Sequence, residues 1–446
     1  MRQGNKYYMM AAVFIMALVF TCTFVSRGAA VTTEEQLANW PVAMYQGAEL
    51  EKVREWEKTW AGKRINQDSI DQVKEFLSDQ FYEMYKNPNE WGADESWFEI
   101  APYKQTMPTP GQIAMTKKYA PTAKFDPNPR KGYWEGGVGP NEFLVGWDTG
   151  DVAGYPFPFP QTGLEVAWNL ESNTGGDTKS FDRQGVVVNP RTRTERRAIQ
   201  PFIHDYYTGR CDYEPILKEP DNPKGIRRAM YLYIDEPLDT RGTRYMEIRY
   251  LDVNKPEDVW VWFPLFRRIR RMGYAYKSDT IDGTDLGPDD ENGWNGHVNR
   301  KTWEMAGRKE MLLGRHTDTT KYTKVVGQAN WNGLQLERTN AIMLESKFKG
   351  KDEVYSKEML YVDPESWKCL QKVTWDRQGR VWRMFYYHNE LFRDPKKNID
   401  HVHTFELYSC DMQRRHGCPS IDKCKEVGLP IENSFWTIQN LQKLGY

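Results

Sequence analysis

Between residues 332 and 409 the chain is a succession of extended segments with only short turns between them. NGLQLERTNAIMLESKF, KDEVYSKEMLYVD, SWKCLQKVTWD, RVWRMFYYHNEL and HVHTFELYS follow one another, and DPES and DRQG supply turns between them. Connections this short join only antiparallel neighbours, so the segments predict a meander of long strands. The faces of those strands constrain the fold further. In RVWRMFYYH, alternation puts Val381, Arg383, Phe385 and Tyr387 on one side and Trp382, Met384, Tyr386 and His388 on the other. Neither side is cleanly polar, so both must be covered. A mainly β (α+β) protein follows, with a curved open sheet or half-barrel and helices or a ligand against its faces.

Strand periodicity begins near residue 180, in QGVVVNPRTRTERRAIQ, RRAMYLYIDEP and RGTRYMEIRYLDVNKPEDVWVWFP, where NKPED makes a turn. Residues 31–150 read differently, as a loop-rich region with one helix near 69–86. There Val73, Phe76, Leu77, Phe81 and Met84 recur at helical spacing, Ser69 and Gln72 can form a capping box, and Pro88 stops the helix near Lys86. From Ala101 to Gly150 PTPG, DPNPRKG and EGGVGPNE read as extended loops, a wrapping or functional segment. The expected organisation is a signal peptide at 1–30, this N-terminal region, a β domain at 151–410 and a cysteine-containing tail at 411–446.

Arg2 and Lys6, an apolar run from Met9 to Val25, and Gly28-Ala29-Ala30 have the layout of a secretory signal peptide cleaved after Ala30. A membrane anchor is the rival reading of that run. Cleavage removes three basic residues and takes the net charge from −1 to about −4, which argues against a nucleic-acid partner. With 17 Trp, 25 Tyr and a mean hydropathy of −0.77, the chain combines abundant aromatics with a polar average. That fits aromatic residues on sheet faces or in a groove. Cys211, Cys369, Cys410, Cys418 and Cys424 follow the leader, and in an oxidising compartment the last three are expected to supply a disulfide.

One segment changes character abruptly: DVWVWFPLFRRIRRM at 258–272 sets Trp260, Trp262, Phe263 and Phe266 before Arg267, Arg268, Arg270 and Arg271. Its aromatic half suits a covered strand that ends near Pro264, and its arginine half suits a polar mouth or anionic ligand groups. The alternative is internal pairing of the arginines with the acidic stretch Asp279–Glu291. That stretch lacks the ligand order of an EF-hand, and His401 and His403, two apart on one strand face, lack an evident third metal ligand, so no metal or cofactor is assigned. No GxSxG, HExxH or phosphate-binding glycine loop occurs, and the chain is read as non-enzymatic.

AGYPFPFPQTGLEVAWN (153–169), WFPLFRRIRR, DDENGWNG (289–296), KTWEMAGRKEML (301–312) and YSKEMLYVDPESWKCLQKVTWDRQGRVWR (355–383) together resemble the domain-of-unknown-function family 1329. The resemblance implies a fold similar to the lipoprotein carriers LolA and LolB, an open antiparallel sheet whose concave face is plugged by helices around a hydrophobic cavity. It also implies traffic of lipids or other hydrophobic compounds through the periplasm, beside a resistance-nodulation-division-type exporter and an outer-membrane protein. The expected function is a periplasmic carrier or chaperone of a lipid or hydrophobic small molecule, with possible outer-membrane association. The alternative is an adaptor docking an exporter or outer-membrane partner. The expected ligand-binding residues are Trp168, Trp260, Trp262, Phe263, Arg268, Arg270, Tyr361 and Trp382.

Overall fold

The computed structural model describes residues 32–189, 193–273, 280–321, 332–351 and 353–444. The expected signal peptide lies outside them. Among the described residues are six α-helices: α1 (Glu34–Ala38), α2 (Gly47–Trp60), α3 (Asp79–Lys86), α4 (Pro110–Tyr119), α5 (Gly163–Ser172) and α6 (Ile438–Leu444). No helix among the described residues is long and apolar enough to cross a membrane.

The strands are β1 (Arg64–Asn66), β2 (Trp97–Ala101), β3 (Thr178–Asn189), β4 (Arg193–Tyr206), β5 (Thr208–Arg210), β6 (Leu217–Lys218), β7 (Ile226–Tyr233), β8 (Arg244–Tyr250) and β9 (Asp258–Phe263). They continue as β10 (Arg268–Met272), β11 (Lys301–Leu313), β12 (Asn332–Phe348), β13 (Lys357–Val362), β14 (Cys369–Trp375), β15 (Val381–Asp394), β16 (Ile399–Asp411) and β17 (His416–Val427). All but β5 and β6 join one open, curved sheet of 15 strands in the order β1-β2-β12-β13-β14-β15-β16-β17-β3-β4-β7-β8-β9-β10, with β11 also on β12. Every pairing in it is antiparallel except β2 with β12.

The late strands form the expected meander. They meet the earlier ones through β17, which pairs with β16 on one side and β3 on the other, so the cysteine-containing segment closes the sheet between its two halves. Its register also decides the fate of the cysteines. Ser409 faces Cys418 across β16 and β17, so Cys410, one residue along, points to the opposite side of the sheet, and Cys424 lies six residues further along the strand. Among the described residues all five cysteines are free thiols, and the expected disulfide is not formed.

Both faces of the late strands are covered, as their alternation requires. On one face Leu344, Leu360, Phe385, Tyr387 and Leu407 pack beneath Val166 and Trp168 of α5 and Leu286, Trp294 and Val298 of the segment before β11. On the opposite face Met384, Tyr386, Tyr408 and Cys410 meet Phe81, Met84 and Tyr85 of α3 and Trp91. The early strands bury Met246, Ile248 and Trp262 on that opposite face under Trp436 and Leu441 at the C-terminal end.

The helical pattern near 69–86 is divided. Ile70–Phe76 forms a 3-10 helix, and α3 starts afresh where the Ser78 hydroxyl accepts from the amide of Phe81. Ser69 makes no cap; its hydroxyl accepts from the Asn66 amide instead. Within 101–150 the residues Thr109-Pro110-Gly111-Gln112 start α4 with a reciprocal capping box and proline in the first turn.

Candidate ligand groove

The α5 face of the sheet is filled rather than hollow. Two narrow clefts lie on either side of Ile281. One, about 30 Å³, is walled by Val186, Ala198, Leu286 and Leu407; the other, about 20 Å³, by Phe202, Met230, Leu232 and Tyr245. Each has room for little more than a water molecule.

Charge fills much of the rest, and it is paired. Arg183 on β3 makes a two-pronged contact with Asp422 on β17, at 2.8 and 2.7 Å, and reaches Glu291 at 2.5 Å. Lys372 on β14 holds Asp290 at 2.6 Å and the Gly293 carbonyl at 2.9 Å, and Lys301 on β11 contacts Glu358. Arg300 pairs with Asp289 at 3.1 Å. The acidic stretch therefore turns inward onto the sheet's own cations. Among the described residues it makes no salt bridge to Arg267, Arg268, Arg270 or Arg271; Arg271 pairs with Asp258 on the neighbouring strand instead.

Asp285, His416 and Cys418 converge beside the first cleft. The His416 imidazole lies 2.8 Å from the Asp285 carboxylate, and the Cys418 thiol is 3.4 Å from the same oxygen. Their donor types suit zinc, but hydrogen bonds among the three already engage each of them. Burial, with Asp285 nearby, pushes the Cys418 thiol well above its ordinary range. His401 and His403 also have structural partners: the Tyr213 hydroxyl at 3.2 Å and the Asp422 carbonyl at 3.0 Å.

A roomier opening lies elsewhere, a groove of about 410 Å³ between the N-terminal segment, the loop before α5 and the turn between β13 and β14. Such a volume falls in the range of small-molecule sites. Its apolar wall comes from Trp40, Val42, Met44, Pro158, Phe159 and Trp367. The loop is fixed by α5: Asn169 accepts from the Phe157 amide at 2.9 Å and donates to the Phe157 carbonyl at 2.6 Å. Gln161 and Thr162 donate their amides to Glu165, the acidic arm of the α5 capping box. Below, Tyr155 sits edge-on to Trp40 at 6.2 Å and contacts the Trp367 ring at the same distance. The N-terminal wall is pinned where the Met44 amide donates to Glu365 at 2.8 Å.

Glu365 is no free charge in that groove, because Tyr103, the Thr106 amide and Arg315 also bind it. Arg308, on β11, is different. It stands at the groove's edge without a salt bridge among the described residues, and partial desolvation lowers its pKa. Apolar walls, one uncompensated guanidinium and the Asn340 amide suit an amphiphile with an anionic head.

None of the eight residues expected to bind ligand lines this groove or the clefts. Trp168 is buried in α5 against Trp147, with ring centres 4.8 Å apart. Trp262 is buried and Trp260 half-buried on the face covered by the C-terminal residues. Phe263 ends β9, and Arg268 and Arg270 are exposed on β10 at the sheet edge. Tyr361 is half-buried on β13, and Trp382 donates from its indole to Asp411 at 3.1 Å. Trp260, Trp262, Phe263, Arg268 and Arg270 share one hairpin; the other three lie apart.

The family model described as "Protein of unknown function (DUF1329)" matches residues 64–442. The chain belongs to the DUF1329 family. It is 25% identical over 328 residues to the uncharacterized protein PA3922 of Pseudomonas aeruginosa, covering 66% of this chain and 68% of that one. Among solved structures it is similar to a DUF1329 family protein from Desulfovibrio piger, with TM-score 0.46, 13% identity and coverage of 63% and 97%. It is also similar to a putative outer membrane lipoprotein-sorting protein domain from Vibrio parahaemolyticus, with TM-score 0.44, 13% identity and coverage of 63% and 98%. Two segments within the matched range meet in the groove: YPFPFP supplies Pro158 and Phe159, and VDPESW supplies Pro364, Glu365 and Trp367. Prolines alternating with phenylalanines cannot donate to a strand ladder, which leaves the aromatic rings on a loop, and that is the signal by which sequence reading could have reached this site.

Proposed function

We propose that the protein is a non-enzymatic carrier of a lipid or lipid-like amphiphile in the cell envelope, and that the groove between Trp40, Phe159 and Trp367 receives the apolar chain. The observation that carries this reading is the groove's construction: an open trough with one apolar wall and polar groups beside it, held by capped and hydrogen-bonded backbone, with Arg308, which makes no salt bridge among the described residues, at its edge. Burying an alkyl chain there contributes about 0.8 kcal/mol per methylene, which must offset the cost of association, so affinity should rise with chain length. The partial likeness to a lipoprotein-sorting domain accords with an envelope role, and the periplasm is the compartment we assign.

The test is extraction of bound material from natively purified protein, followed by titration of delipidated protein with fatty acids and phospholipids while its Trp emission is followed. Co-purified lipid and a saturable emission change, both lost in Val42→Glu/Phe159→Glu, are expected. Protein that carries no lipid and shows no emission change would overturn the reading.

A further inference from the structure

The hairpin of β9 and β10 ends the sheet, and its tip is unlike the rest of the surface. Eight large apolar side chains are exposed among the described residues, and three of them sit on two adjoining turns: Leu265 and Phe266, 85% and 57% exposed, and Leu238, 77% exposed. The turns touch, since a Cβ built on Gly242 would lie 3.4 Å from Pro264. Arg196 on β4, paired with Asp239 at 3.1 Å, ties the Leu238 turn to the same end of the sheet. Register places Arg268 opposite Phe263 and Arg270 opposite Val261, so both guanidinium groups leave one side of the edge strand. On the other side Ile269 packs inward against the cluster around Trp436. Arg267, Arg268 and Arg270 have no carboxylate partner among the described residues, and Arg270 sits 5.8 Å from the Phe266 ring centre.

We infer that this rim is a docking surface for an anionic phospholipid bilayer. Leu265, Phe266 and Leu238 enter the boundary between head groups and acyl chains, and Arg267, Arg268 and Arg270 bind lipid phosphates. Protruding apolar tips beside unpaired guanidinium groups match the chemical layering of such a surface, apolar beneath and anionic above. A protein strand adding to the edge of β10 would have to pass the same arginines, and charged side chains on an edge strand oppose that pairing. The inference does not depend on the carrier reading, because the rim and the groove share no residue.

Co-sedimentation of the full-length mature protein with vesicles of phosphatidylcholine, with and without phosphatidylglycerol, tests it. Wild type should bind the anionic vesicles more tightly, and that binding should weaken as salt rises. Arg268→Ala/Arg270→Ala should lose the preference, at about fivefold for each arginine. Leu265→Asp/Phe266→Asp should lose binding to both vesicle types. Both variants should keep the wild-type circular dichroism and the wild-type response to soluble fatty acid, which separates this rim from the groove. Equal sedimentation of wild type with both vesicle types, variants that bind like wild type, or no vesicle binding at all would each overturn the proposal. So would retention on the vesicles that requires an added protein.

Discussion

The interior arginines and those of the edge hairpin are chemically identical and structurally opposite. Arg183, Arg249 and Arg315 are almost wholly buried, and each meets more than one carboxylate. Their pKa values rise because the acids around them outweigh the cost of desolvation. Arg268 and Arg270 are exposed on the edge strand β10, with no acid paired to them among the described residues. The difference teaches that interior charge in this protein completes the fold, whereas charge at the rim is left over for something outside it. A buried ion pair is costly to break from one side, and an exposed unpaired arginine costs little to remove.

The largest expected effect comes from Arg315→Met. It strips the cation from Asp363, Glu365 and Glu337, which lie within 3.5 Å, and should cost about 3–5 kcal/mol by chemical denaturation. A loss below 1 kcal/mol would mean that the interior network does little for the fold. Trp262→Ala follows, at roughly 3 kcal/mol, since it opens a cavity under Trp436. Fatty-acid affinity of the folded fraction should not change, because Trp262 packs in the cluster around Trp436 and does not line the groove. An affinity loss in that variant would instead assign ligand contact to the hairpin face.

A buried acid sharpens the contrast from the other side. Burial, reinforced by the charge of Asp177, raises the Asp212 carboxyl to about 7. Its neutral form is therefore the one the fold prefers. The stabilisation this gives is complete below the unfolded pKa near 4 and is lost as pH rises towards 7. Asp212→Asn should flatten the stability profile between those limits and, above pH 7, gain on the order of 2 kcal/mol over the wild type. An unchanged slope would contradict this. The smallest effect belongs to Arg268→Ala/Arg270→Ala, within about 0.5 kcal/mol of the wild type in thermal unfolding. A larger loss would make these arginines part of the fold after all.

Much of the sheet was legible because its signal is local. Alternation along RVWRMFYYH placed Phe385 and Tyr387 on one face and Met384 and Tyr386 on the other, and the structure packs them so. Thr109, Pro110 and Gln112 carried a helix start inside a stretch read as loop, where the density of proline and glycine masked a ten-residue helix. What no local pattern carries is partnership across the chain. Arg183 meets Asp422 across 239 positions, and Asp289, Asp290 and Glu291 find their cations at Arg300 just before β11, on β14 and on β3, so acids expected as partners for the nearby arginines turn inward. The same limit applies to DVWVWFPLFRRIRRM. Its turn at Pro264 was readable, but the position of β10 at the sheet edge depends on every pairing that precedes it. The groove walls come from residues near 40, 159 and 367, and only the fold brings them together.

The most direct test of the account is photo-crosslinking with a diazirine-bearing fatty acid, with the labelled peptides mapped by mass spectrometry. The account predicts labelling in the segments around residues 40–44, 158–161 and 364–367, competed by unlabelled fatty acid and lost in Val42→Glu/Phe159→Glu. Competable labelling confined to the hairpin at 258–272, or to the strands around the filled α5 face, would contradict it.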